Sequence, residues 1–224
     1  MSNVALSESM QNYLKAVWGL QEWSDDPVTA TEIARRVGVR VSTVSDALRK
    51  LSGLGLVEHA RYGRVTLTET GRAEAVAVVR RHRLLETFLV QALGYSWDEV
   101  HEEAEVLEHA VSEKLVERVD AFLGHPRRDP HGDPIPAADG TVTHPVASRL
   151  TSVQAGARVR VERISDAVPA RLQYFAEHGV VVGAELEVAE AEPFSEAVAV
   201  RVAGTERALT LGEATTDAVW VSPV

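Results

Sequence analysis

Two histidines and four glutamates fall within nine residues, His101-Glu102-Glu103-Ala104-Glu105-Val106-Leu107-Glu108-His109. Read as one helix, His101, Glu105, Glu108 and His109 take positions i, i+4, i+7 and i+8 and share a side, while Ala104, Leu107 and Val111 continue an apolar stripe. Imidazoles and carboxylates converging from one face are the donors a divalent metal takes. A solvated acidic face with incidental histidines fits the stretch equally well. Upstream, His82 and Glu86 stand at i and i+4, a spacing that suits a shared metal and is also that of an ordinary helical pair. The chain has no cysteine, which excludes disulfides, thiolate zinc sites and thiol catalysis. It also has no His-Glu-x-x-His, no phosphate loop and no obvious nucleophile. A metallohydrolase built on the His/Glu cluster is therefore a weak alternative, and no enzyme activity is expected.

The elements that position these residues follow in order. Residues 8–23 have the spacing of an amphipathic helix, with Tyr13, Leu14, Val17 and Trp18 inward and Ser7 or Ser9 as cap. Thr29-Ala30-Thr31-Glu32 matches a capping box, and Gly38 is a natural helix stop. After the turn Val39-Arg40-Val41, Ser42 is expected to cap a third helix over residues 43–54. Helix, Gly-bearing turn and helix make a helix-turn-helix. The candidates for DNA contact are Arg40, Ser42, Thr43, Ser45, Asp46, Arg49 and Lys50 on this motif. Arg61 and Arg64 join them from the two strands and basic tip that follow as a wing. A long helix is expected from residue 72 to about 92, a short acidic one from Asp98, and another over 112–123. Apolar stripes on three successive helices suggest a dimer surface. Residues 124–150 are a connector rich in Pro, Gly, Asp and His, readable as ordered loop or tether. From Val153 the pattern has period two, with five short strands and one helical segment over 169–178, indicating a small closed SH3-like barrel.

Charge supports this division. Residues 27–65 carry seven Lys/Arg against three acids, whereas residues 84–140 carry thirteen acids against four bases. One part suits a polyanion and the other suits cations. The net charge of −10 argues against a chain that coats nucleic acid along its whole length. No apolar run nears the ~20 residues that span a bilayer, and there is no signal-like apolar segment at the start. A cytoplasmic protein with no membrane partner and no small organic substrate is expected.

On these residues the chain resembles the diphtheria toxin repressor family of metal-dependent regulators, over essentially its whole length. Arg80-Arg81-His82-Arg83-Leu84-Leu85-Glu86 is similar to the family's first metal-ligand signature, and residues 100–109 to its second. Pro130-His131-Gly132-Asp133-Pro134-Ile135-Pro136 is similar to its loop beside the metal sites. The match is closest to the manganese-sensing branch that keeps a third domain. The resemblance implies an α+β multidomain chain. A winged helix-turn-helix spans 1–73, an all-α dimerisation and metal-binding domain 74–145, and a small SH3-like, FeoA-like β-barrel 146–224. It implies two Mn(II) sites per subunit, with Fe(II) or Co(II) as substitutes. One site takes His82, Glu86 and His101, with Asp166 as a third-domain ligand unless that residue caps the following helix. The other takes Glu105, Glu108, His109 and Asn12. Where manganese-type members place Asp, Asn12 offers a neutral amide oxygen, which predicts weaker affinity without a change of metal class. Asp129 and Asp133 replace an anion-binding Ser and Asn, and carboxylates there would repel an anion. The implied function is a homodimeric Mn(II)-dependent repressor of manganese homeostasis genes, bound to palindromic operator DNA with half-sites about one helical turn apart or a multiple of it. The alternative is an Fe(II)-dependent repressor of iron-uptake genes.

Overall fold

The structure is a computed structural model that describes residues 6–60, 63–190 and 197–224. It divides into two compact units. Of the described residues, the first comprises 6–60, 63–82, 108–110 and 136–141, and the second 83–107, 111–135, 142–190 and 197–224.

In the first unit, α1 (Glu8–Glu22) is capped by Ser7, whose hydroxyl accepts from the Met10 amide. It buries Tyr13, Leu14, Val17 and Trp18. Helix α2 (Ala30–Val37) carries the expected capping box between Thr29 and Glu32 and stops at Gly38 in the left-handed region. Helix α3 (Val41–Gly53) starts two residues earlier than expected, with Arg40 at the N-cap and no side-chain cap. The amides of Thr43 and Val44 already bond to the Arg40 carbonyl, so Ser42 sits in the first turn and does not cap it. Val44, Leu48 and Leu51 are fully buried. The wing pairs β1 (Val57–His59) with β2 (Val65–Leu67), antiparallel, with Glu58 opposite Thr66. Arg61 lies outside the described residues.

Helix α4 (Glu69–Leu93) is longer than its apolar stripe implies. It begins where the Thr68 hydroxyl accepts from the Gly71 amide at 3.0 Å. A Cβ on Gly71 would stand 1.8 Å from the Leu56 carbonyl oxygen, so only glycine lets the helix start against that backbone. The boundary between the two units falls within α4, after His82.

The second unit continues with α5 (Val100–Leu107) and α6 (Glu113–Phe122), the latter capped by Ser112. Leu84, Val116, Val119 and Ile135 form a small core. Leu93, Val106, Leu115 and Phe122 are exposed. The connector's centre is an ordered loop. Asp129 Oδ1 accepts from the amides of His131 and Asp133, each at 2.9 Å, and the His131 carbonyl accepts from Ile164. At Gly132, where φ is +91°, a Cβ would meet the Glu162 carbonyl at 2.1 Å.

The C-terminal sheet contains β3 (Ser148–Arg149), β4 (Arg158–Ile164), β5 (Glu185–Ala189), β6 (Val198–Val202), β7 (Ala208–Leu211) and β8 (Val219–Pro223), in the order β3-β8-β4-β5-β6-β7. Helix α7 (Pro169–Glu177) follows β4, and the one-turn α8 (Glu213–Thr216) precedes β8. The architecture is the SH3-like one, with a sixth strand beyond the five expected. The two residues of β3 pair with Val221 and Trp220, too few to leave a period-two signal. Among the described residues no helix is long and apolar enough to cross a membrane.

Candidate metal centre and nucleic-acid face

The acidic stretch is not one helix. Helix α5 ends at Leu107, and Glu108 and His109 lie in the turn beyond it. His101 and Glu105 keep the one-turn spacing, with His101 Nε2 3.6 Å from Glu105 Oε1. Glu108 and His109 are aimed by turn geometry instead.

In the first unit this turn meets α1 and α4. His109 Nε2 stands 2.7 Å from Asn12 Oδ1 and 3.3 Å from Glu108 Oε1, and its Nδ1 stands 3.0 Å from Gln11 Oε1. Glu108 is fully buried, and its Oε1 takes part in no hydrogen bond. A buried carboxylate oxygen without a donor is costly unless something electropositive completes it. Its other oxygen, Oε2, is 2.6 Å from both Lys15 Nζ and His82 Nδ1, and Lys15 Nζ is 2.9 Å from His82 Nδ1. An amide oxygen, a carboxylate oxygen and an imidazole nitrogen therefore surround one point with hard and borderline donors, and that set fits a divalent ion.

In the second unit, His101 Nδ1 lies 3.2 Å from Glu86 Oε1 and 3.0 Å from Asp166 Oδ2. These three groups have donor atoms close enough to share an ion. Asp166 does not cap α7, whose N-cap is Val168 without a side-chain bond. Burial pulls the His101 imidazole down, but hydrogen bonds to Asp166 and Glu86 and their charges carry it up to about 10. Beside this group, Glu86, Asp129 and His131 form another buried set. The His131 Nε2–H donates to the Trp97 carbonyl at 2.6 Å. Burial pulls the His131 imidazole down, but the charges of Glu86, Asp129 and Asp166 and the Trp97 bond hold it above its ordinary value. Its Nδ1 is buried without a hydrogen-bond partner, 3.8 Å from Glu86 Oε2. Burial, then the charges of Asp133 and Glu86, push the Asp129 carboxyl up to about 8. Asp133 is 3.4 Å from Arg83 and 2.7 Å from Arg163. Thus Arg83 already faces a carboxylate of its own chain.

Lys15 and His131 join these clusters although neither is among the ligands that the sequence pattern singles out. His131 was visible as an imidazole two residues from Asp129 in the recognised loop. Lys15 falls one turn after Gln11, on the polar side of α1, and only the long-range contact to Glu108 distinguishes it from a solvated lysine.

On the nucleic-acid face, Arg40, Ser42, Thr43, Asp46, Arg49, Lys50 and Arg64 are exposed, and Ser45 is half-buried. Ser45 Oγ donates to the Val41 carbonyl at 3.0 Å. Arg49 pairs with Asp46 at 3.1 Å, with both side chains largely in water. Such an exposed pair is weak, so Arg49 can exchange it for a phosphate.

Winged helix, helical domain with buried His/carboxylate clusters and SH3-like sheet together define a metal-responsive DNA-binding regulator. Residues 5–65 match the iron-dependent repressor N-terminal DNA-binding domain, residues 68–137 its metal-binding and dimerisation domain, and residues 148–223 the FeoA domain. The chain belongs to the iron-dependent repressor family of DNA-binding, dimerising transcriptional repressors. It is 37% identical over 163 residues to the iron-dependent repressor IdeR of Mycobacterium tuberculosis, covering 70% of each chain. It is 31% identical over 195 residues to the diphtheria toxin repressor of Corynebacterium diphtheriae, covering 83% of this chain and 86% of that one. Among solved structures, a manganese-dependent transcriptional repressor in complex with manganese shares 50% identity at a TM-score of 0.91, over 96% of this chain and all of that one. The manganese regulator SloR shares 32% at 0.81, over 96% and 98%.

Proposed function

We propose that this chain is a Mn(II)-activated, homodimeric repressor of manganese homeostasis genes that reads a palindromic operator. The observation that carries the metal assignment is the buried, donorless Glu108 Oε1 beside Asn12 Oδ1 and His109 Nε2. As the family resemblance implies, Asn12, Glu105, Glu108 and His109 are the proposed ligands of one site, and His82, Glu86, His101 and Asp166 those of the second, with Asp129 and His131 as further donors beside Glu86. Neither set contains sulfur. Oxygen-rich sets suit manganese, whereas thiolates and thioethers favour later metals. A metal bound there supplies positive charge that lets these buried carboxylates stay close together.

Asn12 anchors α1 of the reading domain to the turn that carries Glu108 and His109. Holding that contact fixes the winged helix in one orientation, so that a dimer's two α3 helices meet their half-sites together. We place the domain limits at 1–73, 74–145 and 146–224 and the protein in the cytoplasm, as a regulator and not a catalyst. A second reading, activation by Fe(II), is favoured by the iron-dependent relatives.

Operator binding titrated against free Mn(II), Fe(II), Co(II) and Zn(II) without oxygen decides between them. Mn(II) is expected to activate at concentrations where the cell holds it free. Activation by Fe(II) at a lower free concentration selects the iron reading. His109→Ala is expected to lose metal-dependent operator binding by about 100-fold or more while remaining folded, and binding that still responds to metal would remove His109 from the site.

A further inference from the structure

Strand β4 breaks its alternation at one point. Val159 and Val161 face the sheet core, and strict alternation would send Arg163 in after them. The register with β8 shifts between Val161 and Arg163. Ile164 takes the core place instead, and the bulge re-aims Arg163 to the opposite face. There its guanidinium lies 4.2 Å over the Trp220 ring, and its Nε donates to Asp133 Oδ1 at 2.7 Å. Arg83 of α4 reaches the same loop. Its Nη1 donates to the Pro134 carbonyl at 2.7 Å and its Nη2 to Asp133 Oδ1 at 3.4 Å. Arg83, Asp133 and Arg163 are all buried. Beside them the Ile164 amide donates to the His131 carbonyl at 2.9 Å. Three residues past Arg163, Asp166 Oδ2 stands 3.0 Å from His101 Nδ1.

Resting on the metal-site reading above, we propose that Arg163 is a positioning residue for metal binding. With Asp133 and Arg83 it locks the end of β4 to α4 and the 129–134 loop, and the lock holds Asp166 at His101. Neither Arg163 nor Asp133 is itself a proposed ligand. The Trp220 ring fixes the plane of the Arg163 guanidinium, so its donors are aimed before they bond. One carboxylate oxygen accepting from two guanidiniums leaves none of these buried charges without its opposite, and removing one member exposes the others to the cost of burial. The bonds of the lock come from guanidinium and amide donors, so it forms without a metal ion. Metal binding at His101 then needs no search by the strand that carries Asp166.

The test uses the full-length protein and two readings: hydrogen exchange of the Ile164 amide without metal, and Mn(II) affinity by calorimetry. Asp166→Asn is expected to weaken one Mn(II) step and to leave the Ile164 protection at its wild-type level. Arg163→Met and Asp133→Asn are each expected to cut that protection by about tenfold or more and to weaken the same Mn(II) step by about tenfold. Added to Asp166→Asn, either is expected to weaken Mn(II) binding no further, because each acts through Asp166. Wild-type Ile164 protection in Arg163→Met overturns the inference. So does a full further loss of affinity on top of Asp166→Asn. If Arg163→Met does not fold, Asp133→Asn, which keeps the side-chain shape, decides by the same two readings. Normal Mn(II) binding by wild type with no step weakened in Asp166→Asn defeats this inference and leaves the manganese reading standing. No Mn(II) on wild type defeats both.

Discussion

At the residue scale the site separates groups by what surrounds them. Asn12 contributes a neutral oxygen at 2.7 Å from His109, and Lys15 cancels the Glu108 charge. Asn12→Asp restores one negative charge and is expected to tighten Mn(II) binding about tenfold. Calorimetry showing unchanged affinity would mean that Asn12 is no ligand. His101 gives a pH signature in the metal-free protein. Its folded-state value near 10 lies above the ordinary 6.5. The stability it contributes is therefore complete below pH 6.5 and is lost as pH rises through about 10. Asp129, raised from 3.8 to about 8, acts with the same sign, its contribution being lost as pH rises through about 8. The metal-free melting temperature should fall across this window, and His101→Gln should flatten the fall. An identical slope in the variant would show that the Glu86–Asp166–His101 contact is not what stabilises. His82, Glu86 and His101 were legible because helical spacing and family signatures single them out, and Glu108 because of the family signature alone, since it lies in the turn past α5. Lys15 was not, because its contact to Glu108 spans 93 positions, and a lysine on an amphipathic helix ordinarily reaches for water.

At the element scale, local chemistry was read well wherever a cap fixes a boundary. Thr29, Gly38 and Ser7 each do what their side chains or lack of one permit. The misreadings come where the backbone decides without a side-chain signal. Arg40 starts α3 through its carbonyl alone. Helix α5 ends at Leu107 although the apolar spacing runs on to Val111, since a turn can keep that spacing for four residues. That early end separates Glu108 and His109 from Glu105, so the proposed ligands come from a helix and a turn. On α3, Arg49 lies in water with only Asp46 for company. Arg49→Ala is expected to weaken operator binding about tenfold at any metal concentration and to lower the salt slope by about one. A loss seen only at low metal would place Arg49 in metal coupling instead of phosphate contact.

At the scale of the whole molecule, the division of charge seen in the sequence corresponds to a division of labour. The basic segment became the winged helix, and the acidic segment supplied the buried groups Glu86, Glu108, Asp129, His131 and Asp133. Dimerisation belongs to the family, and the helical part of the second unit exposes the apolar side chains it would need. Phe122 is 70% exposed and Val106 71%. Phe122 also stacks edge-on against Phe88 at 5.9 Å, so its ring is held in place for a partner instead of rotating freely. A charge at that position removes an aromatic anchor and leaves an unpaired ion in its place. Phe122→Asp is therefore expected to weaken the dimer by about 30-fold or more, the range of a binding hot spot, as read by sedimentation equilibrium. On the proposed palindromic operator each subunit takes one half-site, so operator affinity should fall with dimer concentration while Mn(II) binding per subunit stays constant. A variant that remains dimeric at wild-type concentrations would move the interface off α6 and leave Phe122 exposed for another purpose.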